Sequence, residues 1–148
     1  QPDARSGFCE TIHRMKLAVV AFAFVLSVSA SAQSNIKKEF QPLQGGWSLV
    51  MAADMQIPPG MAGLMFIGEK YEGLTDGKVT ERGTVKLDPS TKPMSIDLVI
   101  TDGDDAGKTQ LGIVDITGDT MTLFLGEPGS KTRPTLSSPD KLILKRIK

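Results

Sequence analysis

The sequence predicts an all-β domain, a single antiparallel barrel of about eight strands opened by a short N-terminal helix. Three observations predict it. From Trp47 onward the chain alternates in polarity or is rich in β-branched side chains. Turn residues interrupt that pattern about every 8–12 positions. The connections are mostly tight, and an open sheet of that many short strands would leave two exposed edges that closure into a barrel removes.

Each element follows from local chemistry. Ile36, Phe40 and Leu43 recur at helical spacing, Asn35 can cap the N-terminus, and Pro42 with Gly45-Gly46 prevents anything longer, so one short helical segment is expected there. Trp47-Ser48-Leu49-Val50-Met51 reads as the first strand, with Trp47, Leu49 and Met51 on one face. A loop around Pro58-Pro59-Gly60 precedes the strand at Leu64–Ile67, and Lys70–Glu72 follows Gly68. Asp76-Gly77 is a two-residue hairpin signal. Lys78 to Leu87 is the next strand, with Gly83 as a bend or bulge. Met94 to Ile100 alternates cleanly, Ser95 and Asp97 outward. Gln110–Ile116 and Thr120–Leu125 pair across Thr117-Gly118-Asp119. Glu127 to Asp140 is a loop rich in proline, and Lys141–Ile147 is the last strand.

Before this domain the chain carries a targeting pattern. Met15-Lys16 begins it, an apolar run from Leu17 to Leu26 continues it, and Ser31-Ala32 ends it in an A-x-A sequence before Gln33. Those are the three regions of a secretory signal peptide. The competing reading, a membrane span, needs about 20 apolar residues, and this run gives way to serines well short of that. Residues 1–14 are expected to be an upstream extension, 15–32 the signal peptide and 33–148 the barrel domain. The expected compartment is the periplasm or the outside of the cell, with no stable membrane insertion after cleavage.

Those boundaries exclude much chemistry. The only Cys and the only His, Cys9 and His13, fall in the extension. The expected mature chain therefore has no disulfide, no Cys/His zinc site, no Cys nucleophile and no His general base. A Ser-His-Asp triad is excluded as well. The mature part holds 14 basic and 15 acidic residues, so its charge gives no reason to expect nucleic acid as a partner. Its length is enough to bury one core without staples.

The remaining candidates each have a plainer reading. Trp47, the only Trp, is expected to plug the narrow end of the barrel. Arg146, or failing that Arg133, would lie over its ring, a cation–π contact on the order of 0.5–2 kcal/mol. Asp102-Gly103-Asp104-Asp105 resembles half of a calcium loop, but the twelfth position is Ile113, where a Glu is needed. A solvated hairpin tip is the plainer reading. Met51, Met55, Met61 and Met65 cluster around one loop and could hold Cu(I) through thioethers. A flexible apolar lid at the barrel mouth suits them better. Glu69, Glu72, Glu81, Asp97, Asp115 and Glu127 are the last catalytic resource, and on strands they read as outward charge that discourages edge pairing. No catalytic residue, metal or cofactor is expected.

The text also resembles a known family. Leu43-Gln-Gly-Gly-Trp47, Gly83–Ser90, Lys92–Leu98, Gly107-Lys108, Gly112-Ile113, Gly118–Met121 and Arg133-Pro134, in this order and spacing, are similar to a family of uncharacterised exported bacterial domains described as lipocalin-like. The resemblance covers nearly all of the mature domain. It implies a lipocalin-like barrel and an exported protein, and it supplies no activity.

The expected function is that of a non-enzymatic binding module for a small apolar or amphipathic molecule outside the cytoplasm. An eight-stranded barrel has room for one small ligand or for side chains alone. The expected inward set is Leu49 and Met51; Ile96, Leu98 and Ile100; Leu111 and Ile113; Met121, Leu123 and Leu125; and Leu142 and Leu144. Of these, Leu49, Met51, Ile96, Leu98, Ile113, Met121 and Leu123 are the candidate ligand contacts, with Met55, Met61 and Met65 at the mouth. If the side chains fill the barrel, the alternative is a ligand-free structural or protein-interaction module of the cell envelope. The third reading, a carboxylate-based hydrolase, requires two acidic side chains roughly 5–9.5 Å apart in one cleft.

Overall fold

The computed structural model of the protein describes residues 36–148. The expected extension, signal peptide and Asn35 cap lie outside the described residues. Lys37–Lys148 forms one compact unit. No helix among the described residues is long and apolar enough to cross a membrane.

The unit is all-β. Nine strands follow in chain order: β1 (Gly45–Ala52), β2 (Met55–Gln56), β3 (Ala62–Ile67), β4 (Lys70–Thr75), β5 (Lys78–Asp88), β6 (Met94–Asp102), β7 (Thr109–Thr117), β8 (Thr120–Leu125) and β9 (Lys141–Arg146). Each pairs antiparallel with its neighbours in the order β2-β1-β3-β4-β5-β6-β7-β8-β9, and β9 pairs back onto β1. The result is a closed eight-stranded barrel with β2 outside the ring. The Asp76-Gly77 hairpin forms as expected. Asp76 and Gly77 both take positive φ, +51° and +75°, the geometry that suits a type I′ turn between twisted strands.

Helical content among the described residues is a six-residue 3-10 segment, Lys38–Leu43. An α-helix has no room to form there. Pro42 has no N–H to donate, and one turn of backbone costs more to order than its own bonds return. The segment is held by burial. Phe40 and Leu43 are buried, and the Gln44 amide clamps Gly68, donating to its carbonyl at 2.9 Å and accepting from its N–H at 2.7 Å.

The inner face is packed. Trp47, Tyr71, Ile96, Leu98, Ile100, Met121, Leu123 and Leu144 are each no more than 1% exposed. The expected inward positions on β6, Met121 and Leu123 on β8 and Leu144 on β9 are therefore core residues.

Three expectations about facing are corrected. Leu111 and Ile113 do not point inward. Gly112 pairs with Ile96 and Leu125, and Val114 with Met94 and Leu123, so Gly112, Val114 and Ile116 take the inner positions of β7. Gly112 marks the tight spot, since a Cβ there would stand 2.5 Å from the Phe124 carbonyl oxygen and 2.7 Å from Leu125 Cδ2. Met51 also turns outward. The register of β1 against β9 slips between Leu49 and Met51, leaving Val50 as an extra residue, and Met51 falls on the side of Ile143. Glu81, expected outward, turns inward. It shares the parity of Gly83 and Val85 and pairs with Gly73, two residues on from the inward Tyr71; the register slips only beyond it, where Leu74 faces Val79 and Thr80 is the extra residue.

Candidate functional site

Trp47 is fully buried beside the 3-10 segment. Its indole N–H donates to the Leu43 carbonyl at 2.7 Å, which satisfies the one polar group of a fully buried ring. Arg146 lies over the ring with its guanidinium carbon 4.3 Å from the centroid. The same guanidinium donates to the carbonyls of Gln44 at 2.7 Å and Pro42 at 2.9 Å and meets Asp119 at 3.3 Å. Lys148 adds a second contact to Asp119 at 3.1 Å. Lys148, and after it Arg146, hold the Asp119 carboxyl below its usual range. Trp47 and Arg146 thus act together as the sequence suggested. Arg133 does not join them and sits instead on the outer wall.

Inside the barrel the polar feature is a pair that sequence reasoning missed. The Tyr71 hydroxyl donates to Glu81 at 2.7 Å. Gly83, paired with Tyr71, leaves the ring its space, since a Cβ there would stand 2.7 Å from Tyr71 Cε1. Burial, and after it the neighbouring carboxylate, pushes the phenol far above its ordinary range. By register Glu81 is the one carboxylate on the inner face among the described residues, so the two-carboxylate cleft needed for glycoside hydrolysis does not assemble there.

The methionines do not converge. Met51 faces outward beside Ile143, and Met65 pairs with Gly46 on the outer face. Met55 and Met61 are exposed, at 67% and 47%, and flank the loop between β1 and β3. Leu49 faces inward opposite Leu144. In the Asp102–Asp105 loop, Asp102 meets Arg82 at 3.3 Å and Asp105 meets Lys108 at 2.9 Å. No group of three or more metal-ligating side chains occurs among the described residues.

The concave surface lies on the outer wall. A groove of about 610 Å³ runs over β7 and β8 and reaches Pro42, a size within the range of small-molecule sites. Its floor is Ile113 paired with Phe124, which are 7% and 5% exposed despite facing away from the core. Asp115 and Thr122 continue the floor, the turn at Lys92-Pro93 makes one wall, and Leu136 from the Gly126–Asp140 loop makes the other. A second outer groove of about 430 Å³ is lined by Ile67, Lys70, Thr84 and Thr101 with Glu72 and Arg82. At its edge Arg82 is held between Glu72 and Asp102.

No protein-family model and no curated protein matches the chain. The reading of this site therefore rests on its geometry.

Arg133 explains why the outer wall carries a covered apolar floor. It donates to the Gly112 carbonyl at 2.8 Å and meets Asp97 at 2.7 Å. Gln110 and the amides of Gly126 and Gly129 tie the first part of the same loop to β7 at 2.8–3.0 Å. In the sequence the signal was β7 itself. Leu111, Ile113, Val114 and Ile116 occupy both parities, the mark of a strand buried on both faces.

Proposed function

We propose that the chain is an exported, lipocalin-like, non-enzymatic binding module for a small apolar or amphipathic molecule, and that the ligand lies in the outer groove rather than in the barrel. The groove over Ile113 and Phe124 carries this reading. It combines the apolar Ile113 and Phe124 with a few polar groups, Asp115 and Thr122 beside them and Lys92 on one wall, the mix of a broad apolar surface and few polar groups that characterises small-molecule sites. The ligand-facing set becomes Pro93, Ile113, Phe124 and Leu136. Leu49, Ile96, Leu98, Met121 and Leu123 serve as core. Export is supported by the signal pattern at Met15–Ala32, and the lipocalin-like reading by the order and spacing of the motifs together with barrel closure.

A second reading, a protein-interaction module of the cell envelope, is favoured by the packed inner face. One experiment separates the two. The full chain is expressed in a bacterial host competent for export, recovered from the periplasm and examined by native mass spectrometry. The binding reading expects a mass reduced by residues 1–32 and a retained small-molecule adduct, lost on Leu136→Asp. A full-length mass counts against export. A processed protein that is free of adduct in repeated preparations, and that copurifies with a defined envelope protein, replaces the first reading with the second.

A further inference from the structure

We infer that Arg133 is a positioning residue for the outer groove. It fastens the far half of the Gly126–Asp140 loop to β6 and β7 and so sets Leu136 as the groove's apolar wall. The inference rests on the binding reading above.

The loop has two halves with different attachments. Its first half is tied by backbone, Gly126 to Leu111 at 2.8 Å and Gly129 to Thr109 at 3.0 Å. Its second half has no such ladder. Among the described residues, the hydrogen bonds that join residues 130–140 to the barrel wall all come from the Arg133 guanidinium, which reaches the Gly112 carbonyl at 2.8 Å and the Ile96 carbonyl at 3.4 Å. The Asp97 carboxylate completes the set at 2.7 Å. The remaining bonds of this half are internal. Ser138 donates its N–H to Thr135 O at 3.0 Å, and Thr135 donates its N–H to Ser138 Oγ at 2.9 Å.

That internal turn fixes where Leu136 goes. Leu136 sits at the tip of the Thr135–Ser138 turn and is 66% exposed, so its own packing does little to hold it. Pro134 restricts the link between the turn and Arg133. The guanidinium is thus the anchor, the proline the stiff joint and Leu136 the working surface. A single charged nitrogen, Nη1, makes all three contacts, so the two carbonyls and the carboxylate converge on one donor.

The test uses the full-length protein and the apolar fluorophore 1-anilinonaphthalene-8-sulfonate as the probe. Leu136→Asp places the probe, since this exposed side chain is replaceable without disturbing the core. Arg133→Ala is expected to weaken probe binding about tenfold, through faster dissociation. Arg133→Lys, which keeps a charged donor near Asp97 on a shorter side chain, is expected to recover part of that loss. Hydrogen exchange is expected to quicken in residues 126–140 of Arg133→Ala and to stay unchanged across β7 and β8, while emission from the buried Trp47 reports an intact barrel. Probe binding that Arg133→Ala leaves at the wild-type level overturns the inference alone. So does a loss that comes with a general rise in exchange over β7 and β8, since that is a structural effect. A wild-type protein that binds no probe, or binds it equally after Leu136→Asp, overturns the groove reading and the inference with it.

Discussion

Replacing Arg146 with Ala should cost this domain about 2–4 kcal/mol, a figure that follows from three contacts of one guanidinium. The ring contact at 4.3 Å contributes about 0.5–2 kcal/mol by comparison with other Arg–Trp pairs. The bonds to Gln44 and Pro42, at 2.7 and 2.9 Å, are charge-assisted, and each such bond is worth about 1.5–3 kcal/mol when shielded from water. Arg146 is partly exposed and the Pro42 contact faces solvent, so the lower part of that range applies to the first and little to the second. The Asp119 contact is solvated and adds little. Trp47 is the only Trp, so its emission during urea unfolding reads the region directly. At the expected loss the midpoint of thermal unfolding falls by about 10 °C for a domain of this size. Arg146→Lys should lie between wild type and Ala, because an ammonium keeps the charge over the ring and cannot bridge both carbonyls. A loss below about 0.5 kcal/mol for Arg146→Ala, within the range of an ordinary surface change, would refute the reasoning that Arg146 braces Trp47 and the 3-10 segment.

Two further outcomes are expected. Gly112→Ala should destabilise by about 1–3 kcal/mol in a urea titration, because its methyl would meet a backbone oxygen and Leu125 at 2.5 and 2.7 Å; a neutral result would place Gly112 away from the inner face. Tyr71 should make stability fall at high pH. Its phenol holds a proton more tightly folded than unfolded, so the stabilisation is complete below the unfolded value of about 10 and is lost as pH rises above it. Unfolding free energies at pH 8 to 11 should decline more steeply in wild type than in Tyr71→Phe, and equal slopes would sink the assignment.

The sequence made the ring of strands legible because its signals were local. Asp76-Gly77 fixed one hairpin, and Ile96, Leu98 and Ile100 alternated without interruption and are all buried. The facing of other strands was legible only up to one residue. Alternation assigns a face by counting in twos, and a single extra residue reverses every assignment beyond it. Val50 did this to Met51, and Thr80 did it to Val79, which faces out while Glu81 keeps the inward parity of Gly83 and Val85. Neither position carries a residue type that announces a bulge. At β7 the error had another source. Four aliphatic residues occupy both parities of the strand, and the inner set was the one that includes Gly112. A glycine was passed over as a core position although its lack of a side chain is what Ile96 and Leu125 require. The outer groove was illegible for a related reason, since it depends on where a loop without its own periodicity folds back.

The filled interior and the groove outside it are two consequences of one energetic constraint. A dry void left among packed side chains costs about 24 cal/mol per Å³ in core-truncation series, so a lumen of roughly 300 Å³ kept empty would cost about 7 kcal/mol. The whole net stability of a domain this size is about 5–15 kcal/mol. Larger or cross-linked barrels can carry such a void, but the expected mature chain has no cysteine with which to constrain its unfolded state. Filling the barrel with Trp47, Tyr71, Met121 and the aliphatic residues of β6, β8 and β9 removes that cost and leaves the outer wall as the place for a concave surface. There a groove stays hydrated when vacant, and its floor need only be apolar enough to release that water. Ile113 and Phe124 supply the floor, and a loop fastened through Arg133 supplies the wall, so the proposed ligand would be recognised by the part of the molecule whose rearrangement leaves the core untouched.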